Sequence, residues 1–316
     1  MSPVTTSPVM TSDGTTAGDA PVARSDERRP PWPPPTPGEA LPPPRPPRDP
    51  GLDRSDLRPR PLPSRLLWVV FGTILLLGGL WWGAFNVVGL LAHEEWTVTY
   101  RQQAEGLTTL RVENDNGRVV VRGDDTDQIT VTAEVSRGLF RTDESERVVD
   151  GTYELSSNCA GFNDYWCWVR YDIVVPRDLT VVVVNDNGRV SVSNLDGTVN
   201  IDADNGRVEL DAISGPIVAS SDNGSVVGTG LSAESVVAGS DNGRVDVAFT
   251  EAPATVTATS DNGSVEVAVP NLASGYFVDA RADNGSETVT VVQNPSSRRT
   301  ITVDADNGSV TVRPVD

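Results

Sequence analysis

The 316-residue chain has no lysine, one histidine, two cysteines and few aromatic side chains: seven Trp, five Tyr and six Phe. Each shortage removes a class of chemistry. The one histidine, His93, borders a long apolar run, so no Cys–His or Ser–His–Asp arrangement can be assembled in the residues beyond it. Two cysteines are too few for a thiolate metal site without two further ligands. All 25 basic residues are arginine, a usage that fits a GC-rich bacterial genome. They are outnumbered beyond the apolar run, where residues 93–316 carry 36 acidic side chains against 16 arginines, a net of −20. That sign excludes a nucleic-acid partner, since phosphate binding needs the opposite charge.

What is present divides the chain into three. Residues 1–65 hold 18 of the 24 prolines, too little apolar surface to offset the entropy of ordering, and they read as a disordered, partly polyproline II spacer. Residues 66–92, "LLWVVFGTILLLGGLWWGAFNVVGLLA", contain no charge and exceed the length needed to cross a hydrocarbon layer of about 30 Å. The preceding 65 residues are too long for a signal-peptide leader. Trp68, Trp81 and Trp82 suit interfacial positions. Arg48, Arg54, Arg58, Arg60 and Arg65 lie in the twenty residues before the run, against Arg101 and Arg111 in the twenty after it. The expectation is a single-pass protein of the bacterial cell membrane, N-terminus cytoplasmic, with residues 93–316 outside.

The outer part repeats. Asp-Asn-Gly begins at Asp115, Asp186, Asp204, Asp222, Asp241, Asp261, Asp283 and Asp306, with separations of 18, 18, 19, 20, 22 and 23 from Asp186 onward. A period near 20 marks stacked units, none able to bury its apolar face alone. Counting in twos from each Asn gives an apolar residue, a small one, then Asn, as in Ala238, Ser240, Asn242. After the Gly, inward positions resume at Val190/Val192, Val208/Leu210, Val245/Val247 and Val265/Val267. The alternation predicts Asn inward, Asp outward and Gly at positive φ. A hairpin array and a parallel β-solenoid both satisfy the pattern. A buried Asn must have its hydrogen bonds met, and a ladder of Asn187, Asn205, Asn223, Asn242, Asn262, Asn284 and Asn307, coil on coil, does this. The expected fold is therefore all-β, a parallel solenoid with one transmembrane helix and seven closely stacked coils from Asn187 on. The repeat at Asp283 departs from the pattern, with Glu287 where Val is expected, and a bulge is expected there.

The stretch "YDIVVPRDLTVVVVNDNGRVSVSNLDG", residues 171–197, resembles the start of a bacterial adhesin-like β-strand repeat domain of unknown function. Its pattern is a Val-Pro strand, a run of valines, then repeated Asn-Gly-x-Val-x-Val coils. The resemblance covers about residues 96–316. It implies a right-handed β-helix-like fold and an adhesin-like role, and it transfers no catalytic residues.

Stacked aspartates about 4.8 Å apart repel by about 1 kcal/mol per pair even in water. Arg118, Arg189, Arg207 and Arg244 follow the Gly and are expected to pair with adjacent coils. Bound Ca²⁺ is the alternative, though the glycine-rich nonapeptide of Ca²⁺-binding β-rolls is absent, and no cofactor or metal is expected. Cys159 and Cys167, in an insert spanning residues 137–170, are expected to form a disulfide in an exported domain. Phe162, Tyr165, Trp166 and Trp168 crowd this insert. They read either as a cap on the solenoid end or as a candidate patch for a glycan or protein ligand. The functional expectation is a membrane-anchored binding or scaffold module, with the bilayer and a cell-envelope polymer or protein as partners. The alternative is envelope-stress sensing through the cytoplasmic tail. No enzyme is expected; polysaccharide-active β-helix enzymes use carboxylates as singular decorations, whereas these recur in every coil.

Overall fold

A computed structural model describes residues 64–91, 94–137, 142–159 and 167–315. The expected disordered tail therefore lies outside the described residues except at its last two positions. Helix α1 (Ser64–Leu91) has 28 residues, a length of about 42 Å. Its Arg65–Val88 stretch has mean hydropathy 1.9 and no buried residue, so α1 is long and apolar enough to cross a bilayer. Two polar side chains return to the helix's own carbonyls, Thr73 Oγ1 to Val69 O at 2.8 Å and Asn86 Nδ2 to Trp82 O at 2.7 Å. Neither is left needing water.

The rest is mostly strand. The first half runs β1 (Glu94–Gln103), β2 (Thr109–Asn116), β3 (Val119–Asp124), β4 (Gln128–Arg137), β5 (Thr142–Val149), β6 (Thr152–Cys159), β7 (Trp168–Pro176), β8 (Thr180–Ser193) and β9 (Val199–Asp211). The second half runs β10 (Ile217–Ser221), β11 (Ser225–Leu231), β12 (Ser235–Ser240), β13 (Val245–Phe249), β14 (Thr255–Ser260), β15 (Val265–Val269), β16 (Phe277–Ala282), β17 (Glu287–Val289), β18 (Thr300–Ala305) and β19 (Val310–Pro314).

Two stacks of parallel strands result. One runs β6–β2–β8–β9–β10–β12–β14–β18–β16. The other runs β7–β3–β8–β9–β11–β13–β15–β19–β17. The Asp-Asn-Gly triplet marks the corner where each turn of chain passes from the first stack to the second. Among the described residues no strand folds back antiparallel on its neighbour across such a corner, as a hairpin array would require. Antiparallel pairing is confined to one end, where β5 pairs with β6 and β1–β4–β7 form a meander.

Chain order and stack order differ at both ends. The β2/β3 turn lies between the later β6/β7 and β8 turns. At the other end, β14 and β15 pair with the final strands β18 and β19, and β16 and β17 lie outside these. Chain order and stack order thus coincide only from β8 to β15. The repeat at Asp283 does not bulge; it moves to the end. The cause is its sequence: Glu287 stands opposite Val310, and a carboxylate there cannot be covered on both sides at acceptable cost. The last turn carries Ile301, Val303, Val310 and Val312, all fully buried, and takes the inner place.

Between the stacks lies a core of Val, Ile, Leu and Ala rows, such as Val181, Val199, Ile217, Val236, Val256 and Ile301, none more than 1% exposed. Each buried Val or Leu contributes about 1.5–3 kcal/mol. Register is set at the corners. A Cβ built on Gly206 would lie 1.6 Å from the Gly188 carbonyl oxygen; on Gly224, 1.6 Å from Gly206; on Gly243, 1.4 Å from Gly224; on Gly263, 1.7 Å from Gly243. Gly308 on Gly263 and Gly285 on Gly308 continue the column at 1.8 and 1.7 Å. The expected positive φ holds at Gly117 (136°) and Gly188 (131°) but not at the other six corner glycines. What the corner needs is absence of a side chain.

Gly243→Ala is expected to cost about 3 kcal/mol or more in urea unfolding, because backbone must move. Gly239, whose Cβ would meet only Thr259 Oγ1 at 3.4 Å, should tolerate Ala within about 0.5 kcal/mol.

Candidate interaction surfaces

The asparagine ladder exists, but on the surface. Asn223 Nδ2 donates to Asn205 Oδ1 (3.1 Å), Asn242 to Asn223 (3.0 Å), Asn262 to Asn242 (3.0 Å), Asn307 to Asn262 (3.1 Å) and Asn284 to Asn307 (3.2 Å). Asn187 donates instead to Asp115 O at 3.2 Å. All seven side chains are exposed, which corrects the expectation of a buried ladder. The period of two does not run through the corner: the inward residue is the one before Asp, and the next is the Val four residues after Asp, as in Ser240 and Val245 around Asp241. Ser221, Ser240 and Ser260 fill that inward position, each donating to the corner-glycine carbonyl of the adjacent coil, Gly206, Gly224 and Gly243, at 3.0, 3.0 and 2.8 Å.

Beside the Asn ladder runs the aspartate column. Asp186 has its pKa raised by desolvation, then by the charges of Asp115 and Asp204. The arginines do not relieve this column. Arg118 reaches Asp172 (3.9 Å) and Arg189 reaches Glu209 (3.7 Å), both on adjacent coils. Arg207 and Arg244 pair within their own turns of chain, with Glu209 (3.6 Å) and Asp246 (4.0 Å). All four thus serve the second stack's outer face. Among the described residues no three His, Cys, Asp or Glu side chains converge to hold a metal; the column spreads its carboxylates along the stack. Such an array can present charge to a partner but sets up no nucleophile–base pair.

At the β6/β7 end, Cys159 and Cys167 are disulfide-bonded, Cα atoms 5.7 Å apart, in the place an Asp-Asn-Gly corner would occupy. Of the candidate patch, Phe162, Tyr165 and Trp166 lie outside the described residues. Trp168 is half-buried beneath Arg170, whose guanidinium carbon is 4.0 Å from the ring centre, and Arg170 also meets Glu134 at 3.2 Å. Trp96 is similarly covered by Arg137 at 5.6 Å.

A polar line inside this end escaped sequence reading. Ser157 Oγ donates to Asn114 Oδ1 (2.6 Å), and Asn114 Nδ2 to Asn185 Oδ1 (2.8 Å), all buried. The line then stops: Asn185 Nδ2 is buried without a partner, because the next coil offers Ala203. Burial raises the Tyr153 hydroxyl strongly, with further contributions from its bond to Glu146. Burial also pushes Tyr171 up to about 12, against a lowering bond from Ser157. The signal for the polar line was its parity, since Asn114 and Asn185 stand where later repeats carry Ala or Ser.

No family model matches, and no curated protein matches. Solved structures do. The chain is similar to a candidate adhesin of Bacteroides fragilis (14% identity, TM-score 0.47, 70% of this chain and 97% of that one). It is similar also to a candidate cell adhesion protein of Clostridium sporogenes (12%, TM-score 0.33, 70% and 100%). A third likeness is to a candidate lipid-binding protein of Parabacteroides distasonis (12%, TM-score 0.26, 70% and 97%).

Ala203→Ser would give Asn185 Nδ2 an acceptor while the hydroxyl donates to Gly188 O, as Ser221 does to Gly206. A gain of about 1 kcal/mol in urea unfolding is expected; a loss would show that the amide is not an orphan.

Proposed function

We propose that the protein is a membrane-anchored, extracytoplasmic binding module, adhesin-like in role, whose stacked coils form a right-handed β-solenoid. The observation that carries this reading is the in-register corner column, from Asn205 through Asn223, Asn242 and Asn262 to Asn307 and Asn284. It gives a rigid scaffold on which side chains recur at a fixed spacing of about 4.8 Å. A regular, acidic, ordered face engages another surface without an ordering cost at the moment of binding. Helix α1 supplies the anchor, and the arginine excess before it sets the N-terminus inside. The reading assigns no catalytic step and no cofactor. Its partners are the bilayer and a cell-envelope polymer or protein.

Deleting residues 1–60 tests it against signalling. A binding module keeps its attachment to envelope polymers or proteins after that loss. Full-length protein that binds neither, together with altered stress-gene expression on tail deletion, would replace the binding reading with envelope-stress sensing.

A further inference from the structure

The end of the stack carries an open strand edge. Along Phe277–Ala282, β16 pairs on one side only, with β18; just before it the outer side is closed, where Tyr276 N–H donates to Val292 O and Tyr276 O accepts from Asn294 N–H. Phe277 N–H donates to Arg299 O and Asp283 N–H to Ala305 O, so the odd-numbered residues bond inward. By the alternation of a strand, the backbone groups of Val278, Ala280 and Ala282 aim away from the stack. The Ala282 N–H confirms the direction, since Glu287 Oε1 accepts it at 3.0 Å. Val278 and Ala280 keep the middle of the edge open. The core is open there too: Val278, Ala280 and Ala282 are only half-buried, although they stand on Ile301, Val303 and Ala305, which are fully buried.

We propose that this edge docks a second copy of the chain, β16 on β16, antiparallel about a two-fold axis through Ala280. Outward-aimed groups must meet outward-aimed groups, so even residues face even residues. With Ala280 opposite itself, Asp279 of each copy faces Arg281 of the other, giving two opposite-charge pairs, and Val278 faces Ala282. Sliding by two residues in one direction sets Asp279 against Asp279; in the other, Arg281 against Arg281. Like charges directly opposite destabilise a sheet, so one register is selected by the sequence of the strand itself. At present Arg281 Nη2 meets Asp279 Oδ2 of its own strand at 3.0 Å, with the two side chains 66% and 37% exposed, and docking exchanges these contacts between copies. The edge lacks the proline that commonly blocks such edges. A two-fold pairing closes after two copies and does not propagate into a fibre. It leaves both β1 ends, into which the α1 helices lead, at the far ends of the joined stack. This inference does not rest on the adhesion reading and stands or falls without an envelope ligand.

The test uses the full chain in detergent micelles. Ala280→Cys adds the one free thiol, and mild oxidation is expected to give a covalent dimer. Adding Asp279→Arg should slow its formation by about tenfold or more, and adding Arg281→Asp to that variant should restore it to within about threefold. Failure of Ala280→Cys to cross-link, or cross-linking indifferent to the charge swap, would overturn the proposal.

Discussion

The structure depends on one close approach: backbone resting on backbone at the glycine corner. From Gly188 on, each corner glycine lies against the carbonyl of the corner glycine stacked next to it, at distances no Cβ could occupy. That contact fixes the register, because a slip of one residue would set the side chain beside each corner glycine against the backbone of the adjacent coil. Once Gly243 sits on Gly224, Asn242 falls beside Asn223, Ser240 reaches the Gly224 carbonyl, and Val245 lies over Val226. The ladders, the serine anchors and the valine rows are consequences of the same alignment. Because side-chain period is two, a slip of one residue would turn every valine to solvent, and the corner forbids it.

The same constraint explains how the ends differ from the middle. A middle coil must be apolar on both of its covered surfaces, and the turn with Glu287 is not, so it is placed where one surface stays open. At the opposite end the repeat is replaced by longer antiparallel strands, a disulfide in place of the corner, and tyrosines raised in pKa by burial. The Asn114–Asn185 line belongs to this transition. It is buried and hydrogen-bonded over two links, then breaks at Ala203 where the small-residue column begins. An unpartnered buried amide of this kind costs about 1–3 kcal/mol, tolerable in a stack held by so many buried aliphatics.

Much of this was legible in the sequence. The eight Asp-Asn-Gly triplets gave the period and the inward valines, while the parallel direction was reached through a buried Asn ladder that lies on the surface instead. Cys159 and Cys167 gave the disulfide, and the uncharged run gave the helix. Three readings failed for physical reasons. Asn was placed inside because the alternation was carried through the corner, where the chain bends and the period of two stops. Glycine was assigned a backbone dihedral when six of the eight corners need only its missing Cβ, a fact of the neighbouring coil rather than of the residue. The coil order could not be read from spacing, because two adjacent repeats exchange places without changing their intervals; only Glu287, standing where a valine should be, hinted at which turn would end up outermost. The aromatic residues Phe162, Tyr165 and Trp166 lie outside the described residues.

The central claim is that corners stack in register and in the order 262, 307, 284. Two double-cysteine chains test it. Asn262 and Asn307 are adjacent in the ladder, about 4.8 Å apart along the stack, whereas Asn262 and Asn284 are two steps and about 9.6 Å apart. A disulfide tolerates only the shorter separation. The account predicts that Asn262→Cys with Asn307→Cys oxidises to an intramolecular disulfide in the folded protein, and that Asn262→Cys with Asn284→Cys does not. Ready cross-linking of the second pair, with none in the first, would contradict it.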